Sequence, residues 1–229
     1  MSTRLRLMTA NLKAGAADSR CLIALLEREA PDAVAFQELS CEKIVELQEI
    51  IPRLYPHGVM DAGPNGCGLG LVLRLPAQVQ RLPLPCCDAW IARIDLPGSA
   101  GPAQIEVINA HIIPPHFLLC LWQRRLQVRA LRSYLDCLAL RPHVLLGDLN
   151  STGIFPAYRM LARDLADAAL LSAARNGGSV QPTWSPRPGW RRMFRIDHAL
   201  VDPSLSVHSV RVFDLPGSDH SALIVDIGF

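Results

Sequence analysis

Apolar and polar positions alternate along Leu5–Asn11, predicting a half-buried strand with Asn11 at its C-terminal end. Asp18 or Ser19 then caps a helix through Cys21–Leu26 that stops before Pro31. The nearly unbroken apolar run Ala33–Phe36 reads as a buried strand that delivers Gln37 and Glu38. Ile44, Leu47 and Ile51 give Cys41–Ile51 a helical period, and the glycine-rich stretch Gly63–Gly70 feeds a strand at Leu69–Arg74. Ala89–Asp95 and Gln104–His111 form a hairpin pair around Pro97–Gly101, and the second strand ends on His111. After Pro114 and Pro115 a helix runs from about Leu118 to Leu140. Leu121, Leu131, Leu135 and Leu138 mark its apolar face, and Arg124, Arg125, Arg129 and Arg132 read as its solvated side. His143–Gly147 is a core strand presenting Asp148 and Asn150, followed by a helix around Ala157–Leu165. Asn176–Pro188 is the one loop-like stretch, and strands follow at Arg195–Val201, Ser206–Phe213 and Ser221–Ile227. Strands interleaved with helices, with hairpins added, predict two packed sheets covered by helices.

Composition narrows the picture little. At 229 residues and 50% apolar content the chain can bury a large core, and the motifs spread over its full length argue for one domain, 1–229. The net charge of +2 gives no strong counterion-release contribution to nucleic-acid binding, and Lys13 and Lys43 are the only lysines. Seven cysteines without a C-x-x-C pair fit neither a zinc site nor a disulfide framework, so a reducing, cytoplasmic setting is expected. Met1–Leu7 does not read as a signal peptide, and no apolar run reaches the roughly 18 to 20 residues that span a bilayer. Gly63–Gly70 lacks the Gly-Lys-Ser/Thr ending of a nucleotide-binding P-loop and reads instead as a turn bringing the backbone close to other elements.

The candidate chemistry lies at the ends of the apolar runs: Thr9-Ala10-Asn11, Gln37-Glu38, Asn109-Ala110-His111, Gly147-Asp148-Leu149-Asn150, Ile196-Asp197-His198 and Ser218-Asp219-His220. Oxygen ligands and imidazoles gathered around one point suit a divalent cation and a phosphate ester. A carboxylate such as Asp148 can activate a water, and Asn150, two residues on, is expected on the same side of an extended strand.

In this order, with Gly-Asp-x-Asn in the middle and Ser-Asp-His near the C-terminus, the series resembles the endonuclease/exonuclease/phosphatase superfamily, the deoxyribonuclease-I-like fold. The resemblance implies an α/β four-layer α/β/β/α sandwich of two mixed sheets flanked by helices, with the site among strand-end loops. It implies Mg²⁺ or Mn²⁺ held by Glu38, with Asn11 and Asp219 around the same ion, directly or through water. Asp148 would activate the nucleophilic water, and Asn150 would position phosphate or metal. His220, oriented by Asp197, would contact a phosphoryl oxygen, and His111 would donate toward phosphate or leaving group. His198 is read as structural.

The substrate is less defined, because the superfamily holds nucleases, inositol-phosphate phosphatases, sphingomyelinases and tyrosyl-DNA phosphodiesterases. Trp184 and Trp190 lie among Arg187, Arg191, Arg192 and Arg195, a pattern suited to single strands and unpaired bases, which marks Trp184 and Arg195 as candidate substrate contacts. The expectation is a metal-dependent phosphodiesterase with nuclease-like activity, acting on a phosphate ester, with nucleic acid as a candidate partner. The alternatives are a phosphatase or phosphodiesterase for a small or lipid-derived phosphate, and a non-catalytic phosphate-binding domain.

Overall fold

The computed structural model describes residues 4–63, 67–96, 103–115, 118–138 and 141–229. In chain order the elements are β1 (Arg4–Asn11), α1 (Ser19–Glu29), β2 (Ala33–Gln37), α2 (Cys41–Leu47), α3 (Ile51–Leu54), β3 (His57–Asp61), β4 (Leu69–Leu73), β5 (Ala77–Leu82), β6 (Ala89–Leu96), β7 (Ala103–Ala110), α4 (Leu118–Cys137), β8 (His143–Asp148), α5 (Pro156–Leu161), β9 (Ala166–Asp167), α6 (Ala168–Asn176), β10 (Asp197–Val201), β11 (Ser206–Asp214) and β12 (Ser221–Gly228). Asp18 caps α1 by accepting from the Cys21 N–H at 2.8 Å, and Asp167 caps α6 by accepting from the N–H groups of Ala169 and Leu170.

The strands form two six-stranded sheets, ordered β11-β12-β1-β2-β4-β3 and β5-β6-β7-β8-β10-β9. Each holds one parallel pair, β1 with β2 and β7 with β8. Parallel neighbours need a crossover, which α1 and α4 supply. The other pairs are antiparallel.

Alternation sorts the side chains into layers. Leu5, Leu7, Ala33, Ala35, Leu71 and Leu73 of the first sheet meet Ile94, Val107, Val144, Leu146 and Val201 of the second in the central core. The opposite rows, such as Met8, Val34 and Phe36 or Ile108, Leu145 and Leu200, pack under α1 and α2 on one side and α4 and α5 on the other. This is the expected α/β/β/α sandwich. Each fully buried Leu, Ile or Val contributes about 1.5–3 kcal/mol, so the core greatly outweighs any single polar contact.

Several sequence expectations change. The edge strands β3 and β5 and the helix α6 were not foreseen. Arg124 and Arg132 are 6% and 7% exposed rather than solvated. The hairpin turn at Pro97–Gly101 lies outside the described residues, as does part of the expected extension of α4 to Leu140. Within Gly63–Gly70, where 64–66 are also outside them, a Cβ on Gly68 would meet the Leu39 carbonyl oxygen at 1.9 Å, the close backbone approach expected there. Among the described residues no helix is long and apolar enough to cross a membrane.

Candidate active site

The polar clusters meet because of strand direction. The parallel strands β1, β2, β7 and β8 carry Asn11, Gln37, Asn109 and Asp148 at or near their C-terminal ends. The antiparallel strands β10 and β12 begin at that same end, so Asp197 and the Ser218–His220 segment stand at their starts; Asp197 pairs with Asp148 in register. Asn11, Gln37, Asn109, Asp148 and Asp197 continue the rows that face the other sheet, and each is 0% or 1% exposed.

A buried polar layer lies beneath the site. Thr9 donates to the Gln37 amide oxygen at 3.2 Å, and the Gln37 amide donates to Asn109 at 2.7 Å. Asn109 crosses between the sheets to donate to the carbonyls of Phe36 (2.9 Å) and Gly70 (2.8 Å). Such groups are favourable buried only when paired, so this layer fixes how the two sheets meet.

Above it, the Asn11 amide nitrogen donates to Glu38 Oε1 (2.9 Å) and Asp148 Oδ2 (3.0 Å), while its oxygen accepts from the Lys13 N–H. Asn11 therefore presents its amide N–H to both carboxylates and forms a bridge that orients them. Glu38 adopts a left-handed backbone (φ 55°), and its other oxygen accepts from the Ala14 N–H at 2.9 Å. Asp148 and Asn150 are also brought together by a different route from regular strand alternation. Asn150 is left-handed (φ 46°), and its N–H donates to Asp148 Oδ1 at 2.7 Å, closing an Asx turn. The Asn150 amide then donates to Asp148 Oδ2 (3.2 Å) and the Ile112 carbonyl (2.9 Å) and lies 3.2 Å from His111 Nε2.

Two acid–imidazole groups result. Glu38, His111 and Asp148 form one, and Asp148, Asp197 and His220 the other, each with donor atoms within 4.8 Å of one another. Three carboxylates in this small volume leave negative charge that a dication would balance. Glu38 is the open member, its side chain 25% exposed against 1% for Asp148, which suits an ion that keeps part of its water shell. The donor chemistry fits a divalent metal. Asp219 lies in neither group; its carboxylate pairs with Lys13 at 3.5 Å.

His220 Nδ1 is 2.9 Å from Asp197 Oδ2, and its Nε2 is 3.7 Å from Asp148 Oδ2. Burial favours the neutral ring, but the charges of Asp197 and Asp148 and the hydrogen bond to Asp197 outweigh it and raise the pKa to about 9. The ring is thus an imidazolium at neutral pH. Burial pushes Asp148 above the usual carboxylate range despite the two histidines beside it, making it the more basic carboxylate expected of a water activator.

The sequence profile of the Endonuclease/Exonuclease/phosphatase family matches residues 8–220. The chain belongs to that family. Its place among phosphoester hydrolases therefore rests on sequence and on the buried acid–imidazole cluster together. No functionally curated protein matches the sequence. Similar solved structures include D. rerio TDP2 complexed with single strand DNA product, at 15% identity and a TM-score of 0.73, covering 99% of this chain and 100% of that one. The 3′ phosphatase NExo from Neisseria bound to product DNA hairpin is 20% identical with a TM-score of 0.72, over 96% and 98% of the two chains. The human Nocturnin catalytic domain with bound sulfate anion is 20% identical with a TM-score of 0.71, over 98% and 93%. These likenesses show the endonuclease/exonuclease/phosphatase fold.

The remaining candidates divide. Trp184 is next to the cluster: it bridges His220 in the backbone, with the two rings 6.5 Å apart. Arg195 is turned elsewhere. Its guanidinium donates to Asp167 at 2.7 Å and lies 2.7 Å from His198 Nδ1, an ion pair that leaves it unsuited to the expected substrate contact. His198 is fully buried, its Nε2 on the Ser151 carbonyl at 2.8 Å.

Arg192, Arg124 and Gln127 support the site in roles that their places in the sequence do not show. Arg192 donates to the carbonyls of Asp219 (2.6 Å) and His220 (2.8 Å) and to the hydroxyls of Ser185 (3.0 Å) and Ser221 (2.8 Å), binding the Trp184 loop to the His220 segment. Arg124, its pKa brought down to about 10 by burial, donates to the carbonyls of Ile113, Leu149 (2.9 Å) and Asn150 (3.0 Å). Gln127 donates to the His111 carbonyl at 2.8 Å and accepts from the Ile113 N–H at 3.0 Å. Arg124 and Gln127 are three residues apart on α4 and so share a face, the only signal the sequence held.

Proposed function

We propose that this protein is a Mg²⁺- or Mn²⁺-dependent phosphodiesterase with nuclease-like activity. The observation that carries the reading is the buried chain Asp197–His220–Asp148 standing beside the more open Glu38.

Glu38 would hold the ion, with Asp148 and His111 close enough to complete its surroundings through water. When bound, the ion supplies positive charge to the phosphoryl oxygens and the leaving oxygen. The chain's own residues supply the rest. His220 keeps its proton because Asp197 accepts from Nδ1, which leaves the Nε2–H free to donate to a phosphoryl oxygen. The 3.7 Å between His220 Nε2 and Asp148 Oδ2 lets one oxygen contact both. Asp148 accepts a proton as water attacks phosphorus, the bond from phosphorus to the leaving oxygen breaks in line, and His111 donates toward that oxygen. The Asn11 and Asn150 amides keep Asp148 aimed by donating to its carboxylate.

Nucleic acid as substrate is supported by the DNA products held by TDP2 and NExo, and by Trp184 beside His220. NExo is a 3′ phosphatase, which gives the phosphomonoester reading an independent footing. The test is an assay of the protein with Mg²⁺ or Mn²⁺ on single- and double-stranded DNA, RNA, 3′-phosphorylated ends and small mono- and diesters. Cleavage of diester strands, abolished in Asp148→Ala, is expected. Release of phosphate from monoesters alone would replace the nuclease reading with the phosphatase one. No metal-dependent hydrolysis of any ester would overturn both.

A further inference from the structure

A cavity of about 350 Å³ opens at the same end of the sandwich, lined among others by Asp61, Cys67, Leu69, Arg81, Cys87 and Trp90. It separates the segment entering β4 in the first sheet from the β5–β6 connection in the second. The mechanism above uses none of its thiols.

Two of them face each other. Cys67 Sγ donates to the Cys86 carbonyl at 3.5 Å, and Cys87 Sγ reaches the Cys67 carbonyl at 3.6 Å, so each thiol lies against the other's chain. The intervening backbone is strained. Cys86 has φ 72°, and the Cys87 N–H donates to the Pro85 carbonyl at 3.0 Å, closing a three-residue turn centred on a non-glycine left-handed residue. Such a conformation costs about 1–3 kcal/mol and persists only where surrounding structure enforces it. Here it turns Cys87 inward, where it is buried, while Cys67 stays partly open to the cavity. The neighbouring Cys87 thiol holds the Cys67 thiol below its ordinary range, and the nearby Cys67 together with burial raises Cys87 well above it. That makes Cys67 the better nucleophile.

Both thiols are wired to the phosphoesterase cluster. Gly68, next to Cys67, accepts at its carbonyl from the Leu39 N–H at 3.0 Å, and Leu39 follows Glu38. The Cys87 carbonyl accepts from Gln127 at 2.9 Å, and the same amide nitrogen donates to the His111 carbonyl at 2.8 Å.

We infer that Cys67 and Cys87 are a reversible thiol–disulfide pair that joins the two sheets beside Glu38 and His111 and responds to peroxide. The Cys67 thiolate attacks one peroxide oxygen: an S–O bond forms, the O–O bond breaks, and the departing hydroxide takes a proton to become water. Cys87, as its proton passes to the sulfenic oxygen, attacks the Cys67 sulfur. The S–S bond forms and a second water leaves. Two thiols lose two electrons, and one hydrogen peroxide becomes two waters. Two equivalents of a thiol reductant such as glutathione restore the pair, becoming a disulfide themselves. Each sulfur now contacts a backbone carbonyl of the other segment, and a bond of about 2.05 Å between them replaces both contacts and re-sets how the two segments meet. The change acts on Gly68 and on the Cys87 carbonyl, and so on the backbone of Glu38 and His111. None of this depends on the hydrolase reading.

The reduced protein would be treated with graded hydrogen peroxide and its peptides mapped without reduction. One linked species joining Cys67 to Cys87, two hydrogens lighter than the free peptides and reversed by glutathione, is expected in wild type and in Cys86→Ser and absent in Cys67→Ser. Amide hydrogen exchange of the oxidised wild type would change at least twofold in rate at Leu39 and at Ile112–Ile113, with no change in peroxide-treated Cys67→Ser. Links that join other cysteines, or Cys67 oxidised without a partner, would overturn the pairing. A formed Cys67–Cys87 bond with unaltered exchange at those amides would overturn its coupling to the site.

Discussion

His220 Nδ1 lies 2.9 Å from Asp197 Oδ2, both residues buried, although 22 residues separate them in the chain. The pair sets the protonation state of the site. His220 carries a pKa raised to about 9, so hydrolysis is expected to fall as pH rises through that value and the imidazolium is lost. In Asp197→Asn the alkaline limb should move by at least one unit toward neutrality, with kcat down by roughly 10²- to 10⁴-fold. A kcat–pH profile of both proteins checks this; an unmoved limb would remove Asp197 from control of His220.

The same pair links stability to pH. The native ring binds its proton more tightly than the unfolded one, whose pKa is about 6.5. Its contribution is therefore fully present below about 6.5 and lost as pH rises from there through about 9. Denaturant melts at closely spaced pH values should show stability declining across that window, and the decline should be smaller in His220→Gln.

Glu38→Gln keeps the hydrogen bond from Asn11 but removes the open charge of the cluster. Calorimetric titration should show Mn²⁺ affinity reduced roughly tenfold or more, about 1.4 kcal/mol, with the melting temperature of the metal-free protein little altered. Equal affinity in wild type and variant would place the ion elsewhere.

Gly147→Ala tests how the scaffold delivers Asp148. Gly147 has φ 138°, and a Cβ there would meet the Ala110 carbonyl oxygen at 1.9 Å. The variant should lose roughly 2–4 kcal/mol in urea unfolding, since neither the backbone angle nor the β7–β8 contact tolerates the added carbon.

Arg192→Lys keeps the charge but loses the planar fork that reaches two carbonyls and two hydroxyls at once. We expect kcat to fall at least about tenfold, that is, by about 1.4 kcal/mol of barrier, with partial rescue by added guanidinium. A fall in stability alone, with kcat intact, would limit Arg192 to holding the loop.

Most of the central strands were legible because burial on both faces writes a continuous apolar run, as in Ala33–Phe36 and Val144–Leu146. The edge strands β3 and β5 were not. None of their side chains is fully buried, and their sequences, HGVMD and AQVQRL, hold no apolar run. α6 was missed because Leu170 and Leu171 are exposed and blur its apolar face. Arg124 and Arg195 were misplaced for a shared reason: a guanidinium reads as a surface or ligand-binding group until its buried acceptors are known, and those lie on distant segments.

The chain by itself determined the central strands, their succession along the sequence and the residue types waiting at their ends, since these follow from local period and from motifs a few residues long. Only the tertiary structure decided which atoms meet. Asn11 turned its N–H toward the carboxylates, Asn150 folded back through a left-handed turn, and Asp219 paired with Lys13. The Asn150 turn is closed locally, but its amide also needs the Ile112 carbonyl from a separate segment. Asp148 reaches Asn11 from the other sheet, 137 residues along the chain, and Asp219 reaches Lys13 from the far end of the sequence, so no local pattern carries the position of either partner.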